Sequence, residues 1–254
     1  MSKKILGLFK MIITLLSILM MNTFIVIGMP KDTEYIAPSV IPKEALEYIK
    51  IDDMFYKQEI SDELFKYIYG KSFKENCTTP RDSLVYIRLL YYGFDKETHV
   101  GELIVNKYIA DDVIEIFKEL YLAKYPIQEI VLVDHYGADD ELSMKYNNTS
   151  SFNFRKISGT KTLSKHSLGL AIDINPLYNP YVTNKGKNIE PANAKAYVDR
   201  SKEFPYKIDH NDLAYKLFTK HGFTWGGDWK GVKDYQHFEK DIVSAQKSYN
   251  AGKK

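Results

Sequence analysis

Two short stretches carry residue types whose spacing suits metal chemistry: Ser164-Lys-His166-Ser-Leu-Gly169-Leu-Ala171-Ile-Asp173 and Asp234-Tyr-Gln-His237-Phe-Glu. Together they offer two imidazoles and a carboxylate, His166, Asp173 and His237. A second carboxylate, Asp234, stands three positions ahead of the last imidazole. Nitrogen and oxygen ligands that leave one coordination position open are the pattern of a catalytic zinc site, whereas structural sites close with a full set of four. The spare carboxylate is then the candidate base for an activated water. The chemistry indicated is metal-assisted hydrolysis, with one Zn2+ per chain as cofactor, although His and Asp also accept other divalent ions.

These groups need strands to hold them. Side chains alternate across a strand, so Leu168, Leu170, Ile172 and Ile174 share an apolar face while Gly169, Ala171 and Asp173 share the other. The small residues clear room beside the carboxylate. His166 has the parity of the apolar set, so a bend ahead of the strand must turn it toward the site. In the second stretch His237 is expected to point inward from a strand, with Phe238 packed behind it and Asp234 just ahead. Trp225-Gly-Gly-Asp-Trp229 sets two aromatics around a glycine turn, a wall suited to a cleft. Taken alone, the first stretch also fits a half-buried strand with a capping histidine, and an isolated Asp-x-x-His is weak. Asp228 competes with Asp234 for the base role but lacks the fixed spacing to His237. His99, His135, His210 and His221 sit beside charged or turn residues and read as surface or helix-end groups, with His135 the one best placed to contact a substrate.

The rest of the chain reads more coarsely. Leu84–Leu90 and Val100–Val105 are β-branched and aromatic enough for strands. Ile109, Val113, Ile116, Phe117 and Leu120 form one helical stripe. Ile127–Val133 reads as a buried strand, residues 134–163 as a long polar loop of the kind that is often functional, and Asp209–His221 as a helix stopped by Gly222. Within residues 30–81, a linker and helical lead-in, Lys43–Lys50 and Ser61–Tyr69 have short helical patterns. The compact domain is expected over residues 82–241, and residues 242–254 read as a frayed tail.

Composition narrows the class. The 254 residues balance 35 basic against 33 acidic side chains, which gives no reason to propose a nucleic-acid partner. Cys77 is the only cysteine, so thiolate–zinc and disulfide frameworks are excluded. Its Lys-Glu-Asn-Cys-Thr-Thr-Pro setting reads as a turn rather than a nucleophile site. Twenty tyrosines are read mainly as packing groups with a polar handle. At the start, Lys3, Lys4 and Lys10 precede an apolar run from Met11 to about Met29, a length that could span a bilayer. Residues 1–29 are therefore expected to be a signal peptide, cut near Val26-Ile-Gly28, or a single membrane anchor. The basic flank sends the rest of the chain outward.

In order along the chain stand Asp139-Asp140-Glu-Leu-Ser143-Met144, Asn147-Asn148-Thr149-Ser150 and Phe152-Asn153-Phe154-Arg155. They are followed by Ser164-x-His166-x-x-Gly169-x-Ala171-x-Asp173-Ile-Asn175-Pro176, the Trp-Gly-Gly-Asp-Trp turn and Asp234-x-x-His237-Phe238. This series resembles the M15 zinc peptidases of bacterial wall metabolism, in particular the branch that includes L-alanyl-D-glutamate endopeptidases. The likeness runs from about residue 82 to 240. It implies an α+β fold, a central antiparallel sheet with flanking helices of the Hedgehog/DD-peptidase type. It also implies His166, Asp173 and His237 as zinc ligands, Asp234 as general base, and Arg155 as the charge beside the scissile carbonyl. Ser164 matches the serine beside the first ligand, and with Trp225 and Trp229 it completes the expected substrate-binding set. The expected function is hydrolysis of peptidoglycan stem peptides on the outer face of the membrane or in the wall. D-Ala-D-Ala carboxypeptidase action is favoured over L-Ala-D-Glu endopeptidase action or a non-catalytic, zinc-stabilised wall-binding module.

Overall fold

A computed structural model describes residues 36–157, 160–183 and 186–252; the N-terminal apolar run lies outside the described residues. The described residues from Ala37 onward form one unit. Among the described residues no helix is long and apolar enough to cross a membrane.

The architecture is α+β. Its largest sheet has four antiparallel strands in the order β1-β4-β3-β2, where β1 is Ser39–Ile41, β2 Tyr56–Glu59, β3 Leu84–Tyr92 and β4 Thr98–Asn106. The long central hairpin keeps register from Leu84↔Asn106 to Tyr92↔Thr98. Both edge strands come from the stretch expected to be a lead-in, so that stretch is built into the sheet rather than standing ahead of it. The two helical patterns there are real but short: α1 spans Lys43–Leu46 and α2 Asp62–Ile68, the latter capped by Ser61 accepting from Leu64 N–H. Helix α3, Ala110–Leu122, buries Val113, Ile116, Phe117 and Leu120 as its stripe requires and packs against β3. Leu84 and Ile104 belong to a core cluster with Ile60, Ile68, Leu132, Phe152 and Phe154, into which Cys77 also packs.

Beyond α3 the structure departs from the sequence reading in three places. Only Glu129–Ile130 of the expected 127–133 strand is extended; this β5 pairs in parallel with β6, Asn148–Thr149. The Asn148 carboxamide accepts from Val131 N–H at 2.9 Å and donates to Val131 O at 3.0 Å, so a side chain replaces the next rung of the ladder. The expected long loop contains α4, Asp140–Lys145, with Asp139 as its cap. The expected tail is a helix, α6, Ile242–Gly252, which Asp241 starts by accepting from the N–H groups of Val243 and Ser244. Between these lies α5, Leu213–Lys220, capped by Asp212 and followed by Gly222 at φ 78°.

Two small sheets complete the fold. One has the order β10-β12-β7, the other β11-β8-β9. Their strands are β7 Ala171–Asp173, β8 Tyr181–Thr183, β9 Asn188–Glu190, β10 Thr224–Trp225, β11 Lys233–Asp234 and β12 His237–Glu239.

Candidate metal centre

Antiparallel pairing of β7 with β12 sets His237 directly opposite Asp173, with Phe238 opposite Ile172. Directly opposed residues are close neighbours on one face of a sheet, so the register alone brings two of the three expected ligands together. The third arrives from a different element. His166 sits in a 3-10 turn, Lys165–Leu168, rather than on the strand itself. Gly169 ends that turn at φ 65°, and a Cβ there would meet the Asn106 backbone nitrogen at 2.6 Å. Only glycine satisfies both demands. The turn is fixed to the end of β4, since Asn106 N–H donates to Gly169 O at 2.8 Å and Asn106 Nδ2 to Leu168 O at 3.0 Å. This is the bend that the parity of His166 required.

All three side chains are buried, at 3%, 7% and 5% exposure for His166, Asp173 and His237. His166 Nε2 lies 3.1 Å from His237 Nδ1 and 3.1 Å from Asp173 Oδ2, and His237 Nδ1 lies 3.0 Å from Asp173 Oδ1. The opposite ring nitrogens are anchored. His166 Nδ1–H donates to Ser151 O at 2.6 Å, and His237 Nε2–H donates to Glu239 Oε2 at 3.0 Å. A carbonyl and a carboxylate can only accept, so each anchored nitrogen carries the proton, and in a neutral ring the other nitrogen presents its lone pair. Anchoring of this kind is what holds metal-ligating histidines in one tautomer and orientation.

The donor set passes a test of fit for a divalent cation. Two lone pairs and a carboxylate converge with nothing between them but one another, an arrangement that repels unless positive charge is present. Burial pulls the His237 pKa down, yet the Asp173 and Glu239 carboxylates outweigh it and push the ring up to about 10. Burial would raise Asp173, but the two imidazoles hold it well below the usual carboxylate range. Both shifts report a cluster that gathers positive charge, which a second proton on His237 supplies until a cation takes its place and leaves the inner lone pair free. Among the described residues this is the group of three whose ligand atoms lie close enough to hold a metal ion.

Asp234 lies on β11, paired with Tyr181 of β8. The Trp-Gly-Gly-Asp-Trp turn presses on it: a Cβ on Gly226 would stand 2.6 Å from Asp234 O. Its Oδ1 is buried without a hydrogen-bond partner. Burial, with the Asp173 charge adding to it, raises its pKa to about 7 against the pull of His237 and His166. Asp228, the rival, is exposed and bonded to His210 at 2.8 Å.

A cleft of about 490 Å³ opens over the cluster, lined among others by Arg155, Ser164, Tyr181, Glu190, Trp229 and Asp234. Arg155 is ion-paired with Asp140. Ser164 caps the 3-10 turn by accepting from His166 N–H at 3.3 Å, so its hydroxyl supports His166 as well as facing the cleft. The Trp229 ring lies 5.2 Å from the His237 ring. Trp225 is placed elsewhere: it is buried among Tyr215, His210 and Phe238, with its indole N–H donating to Tyr235 O at 2.9 Å. His135 is bonded to Glu102 and is not among the cleft residues. Three residues of the site were not singled out from the sequence: Ser151, Glu190 and Glu239. Glu239 had a usable signal, since it shares strand parity with His237. Glu190 had none, because it enters the cleft only through the Tyr181↔Glu190 pairing of β8 with β9.

With fold and geometry in place, the chain can be set beside known families. Residues 158–240, which contain His166, Asp173, Asp234 and His237, match the family model described as D-alanyl-D-alanine carboxypeptidase. The match, over about a third of the chain, supports an M15 family peptidase. Arg155 and Asp140 lie ahead of the matched segment. No solved structure matches the chain.

Proposed function

We propose that this chain is an exported zinc peptidase that trims peptidoglycan stem peptides, with removal of a terminal D-alanine as its favoured reaction. The observation that carries the reading is the convergence of His166, Asp173 and His237 inside the segment matching D-alanyl-D-alanine carboxypeptidase. Two imidazoles and one carboxylate favour zinc in a catalytic rather than a structural role. A bound divalent cation supplies an electrophile for the peptide carbonyl and brings water into the range of acidity where it is a nucleophile at neutral pH.

The protein's own groups do the rest. Asp234 accepts the proton of the attacking water and returns it to the leaving amine. Arg155 places positive charge where the carbonyl oxygen becomes negative; losing a group with that role typically costs about 100- to 1000-fold in rate. Ser151 O and Glu239 keep both imidazoles aimed. Trp229 and Tyr181 wall the cleft. Export fits a substrate beyond the membrane, and residues 1–29 serve as its signal peptide or anchor.

The test is mass spectrometry of peptidoglycan fragments with pentapeptide stems after incubation with the full chain and zinc, beside the Asp234→Ala variant. Loss of one terminal alanine with the unmodified protein alone supports the carboxypeptidase. An internal cut makes the chain an endopeptidase. Unchanged fragments with metal still bound favour a wall-binding module.

A further inference from the structure

From the pairing of Arg155 we infer that Asp140 is a positioning residue of the reaction: its carboxylate is ion-paired with the Arg155 guanidinium and so keeps that charge in place for the scissile carbonyl. The inference rests on the peptidase reading above and adds a residue to it.

Arg155 is fixed at both ends. Its N–H donates to Ser167 Oγ at 2.8 Å, the Ser167 hydroxyl donates to Arg155 O at 2.5 Å, and Ser164 N–H donates to the same carbonyl at 3.0 Å. Ser164 and Ser167 belong to the turn that carries His166, so the arginine backbone is tied to a metal ligand. At the other end Nε pairs with Asp140 Oδ2. Asp140 is fixed in turn, because Asn153 Nδ2 donates to Asp140 Oδ1 at 2.7 Å and to Ala138 O at 3.2 Å. Asp140 stands in the first turn of α4, where an acidic residue would ordinarily be explained by the helix start. Here Asp139 takes the cap instead, accepting from Leu142 N–H at 3.0 Å, and Asp140 is left for the arginine.

The geometry matters because a guanidinium is a rigid planar fork. The ion pair with Asp140 restrains where that fork lies, and no side-chain hydrogen bond of Arg155 competes with it among the described residues. Both side chains of the pair are about equally open, 30% and 28% exposed, and both line the cleft. Misplacing such a group by about 1 Å costs up to roughly 100-fold.

The experiment is a double-mutant cycle on the full zinc-loaded chain, with pentapeptide-stem fragments as substrate. Asp140→Asn is expected to lower kcat about 10- to 100-fold with KM little changed and with zinc content equal to the parent's. Asp140→Glu recovers part of that loss. In an Arg155→Ala background, Asp140→Asn has no further effect, because it acts only through the arginine. Equal losses from Asp140→Asn with and without Arg155 overturn the inference, as does an Asp140→Asn variant with full kcat. A parent chain that cuts no stem peptide while holding zinc fails the peptidase reading itself and takes the inference with it. That result differs from an active parent whose cycle is additive.

Discussion

His166 and His237 meet Asp173 across two small strands, while His135 meets Glu102 on a face of the large sheet. On paper the two groups look alike, imidazole beside buried carboxylate, although the His135 ring is exposed and those of His166 and His237 are not. In the second, His135 Nε2 lies 3.1 Å from one Glu102 oxygen, and the Tyr86 hydroxyl donates to the other at 3.1 Å. Tyr67 packs edge-on against the imidazole, and Arg88 stands opposite Glu102 in register. Each oxygen of that carboxylate is met by a donor, and the network is closed on itself. In the first, the protons are used up on the outer side, toward Ser151 O and Glu239, and lone pairs gather on the inner side. Asp234 Oδ1 lies buried with no partner. A histidine–carboxylate pair is therefore no sign of a metal site by itself; the sign is where the protons are directed.

The largest effect that could break this comparison comes from exchanging the histidines for alanine. His166→Ala is expected to lose both zinc, measured by elemental analysis of the dialysed protein, and all detectable stem-peptide hydrolysis. His135→Ala is expected to keep both. A His135 variant that lost its metal would erase the distinction between the two clusters. The next largest effect is on stability. Glu102 is 9% exposed with Arg88 at 6%, and truncating one member of a buried charged group strands the others. Glu102→Ala should cost about 3 kcal/mol in chemical denaturation while zinc content stays unchanged.

A smaller change sharpens the other side. Glu239→Gln removes the carboxylate that orients His237 but leaves all three ligands in place. Zinc affinity, read by competition with a chromophoric chelator, should fall about 10- to 100-fold. No change would mean that strand pairing alone orients the ring. A fall as complete as in His166→Ala would mean that Glu239 is itself a ligand.

How legible this was follows from the same contrast. The three clustered side chains could be read because each sits in a segment whose side chains have obvious places, the apolar parity of Leu170, Ile172 and Ile174 and the Phe238 behind His237. The central hairpin and α3 were legible for the same reason, being long and strongly periodic. Edge strands β1 and β2 were not: Tyr56-Lys-Gln-Glu59 has no apolar alternation, and it is a strand because β3 pairs with it. Tertiary pairing overrode local preference there. Asp139 and Asp140 stand side by side in one sequence motif, and only the fold separates the cap from the arginine's partner. Trp225 looked equivalent to Trp229 in the Trp-Gly-Gly-Asp-Trp run; the turn between them sends one ring into the core and leaves the other at the cleft.

The smallest expected effect concerns pH and belongs to the closed cluster. The hydrogen bond with Glu102 raises the His135 pKa above its ordinary 6.5 against a lowering by burial. A folded-state pKa above the unfolded value means that the pair contributes stability in full below pH 6.5. That contribution is lost as pH rises through the higher folded value. The imidazole is open enough to be screened, with 36% of its side chain exposed, so the whole contribution is at most about 1 kcal/mol. Urea denaturation of the parent and of His135→Gln at pH 6 and pH 9 isolates it, because the His166, Asp173 and His237 cluster is the same in both proteins and cancels from the difference. The stability gap between parent and variant should close on going to pH 9. A gap that instead widened with pH would mean that His135 is held neutral, and a neutral His135 presenting a lone pair would be as fit a ligand as His166.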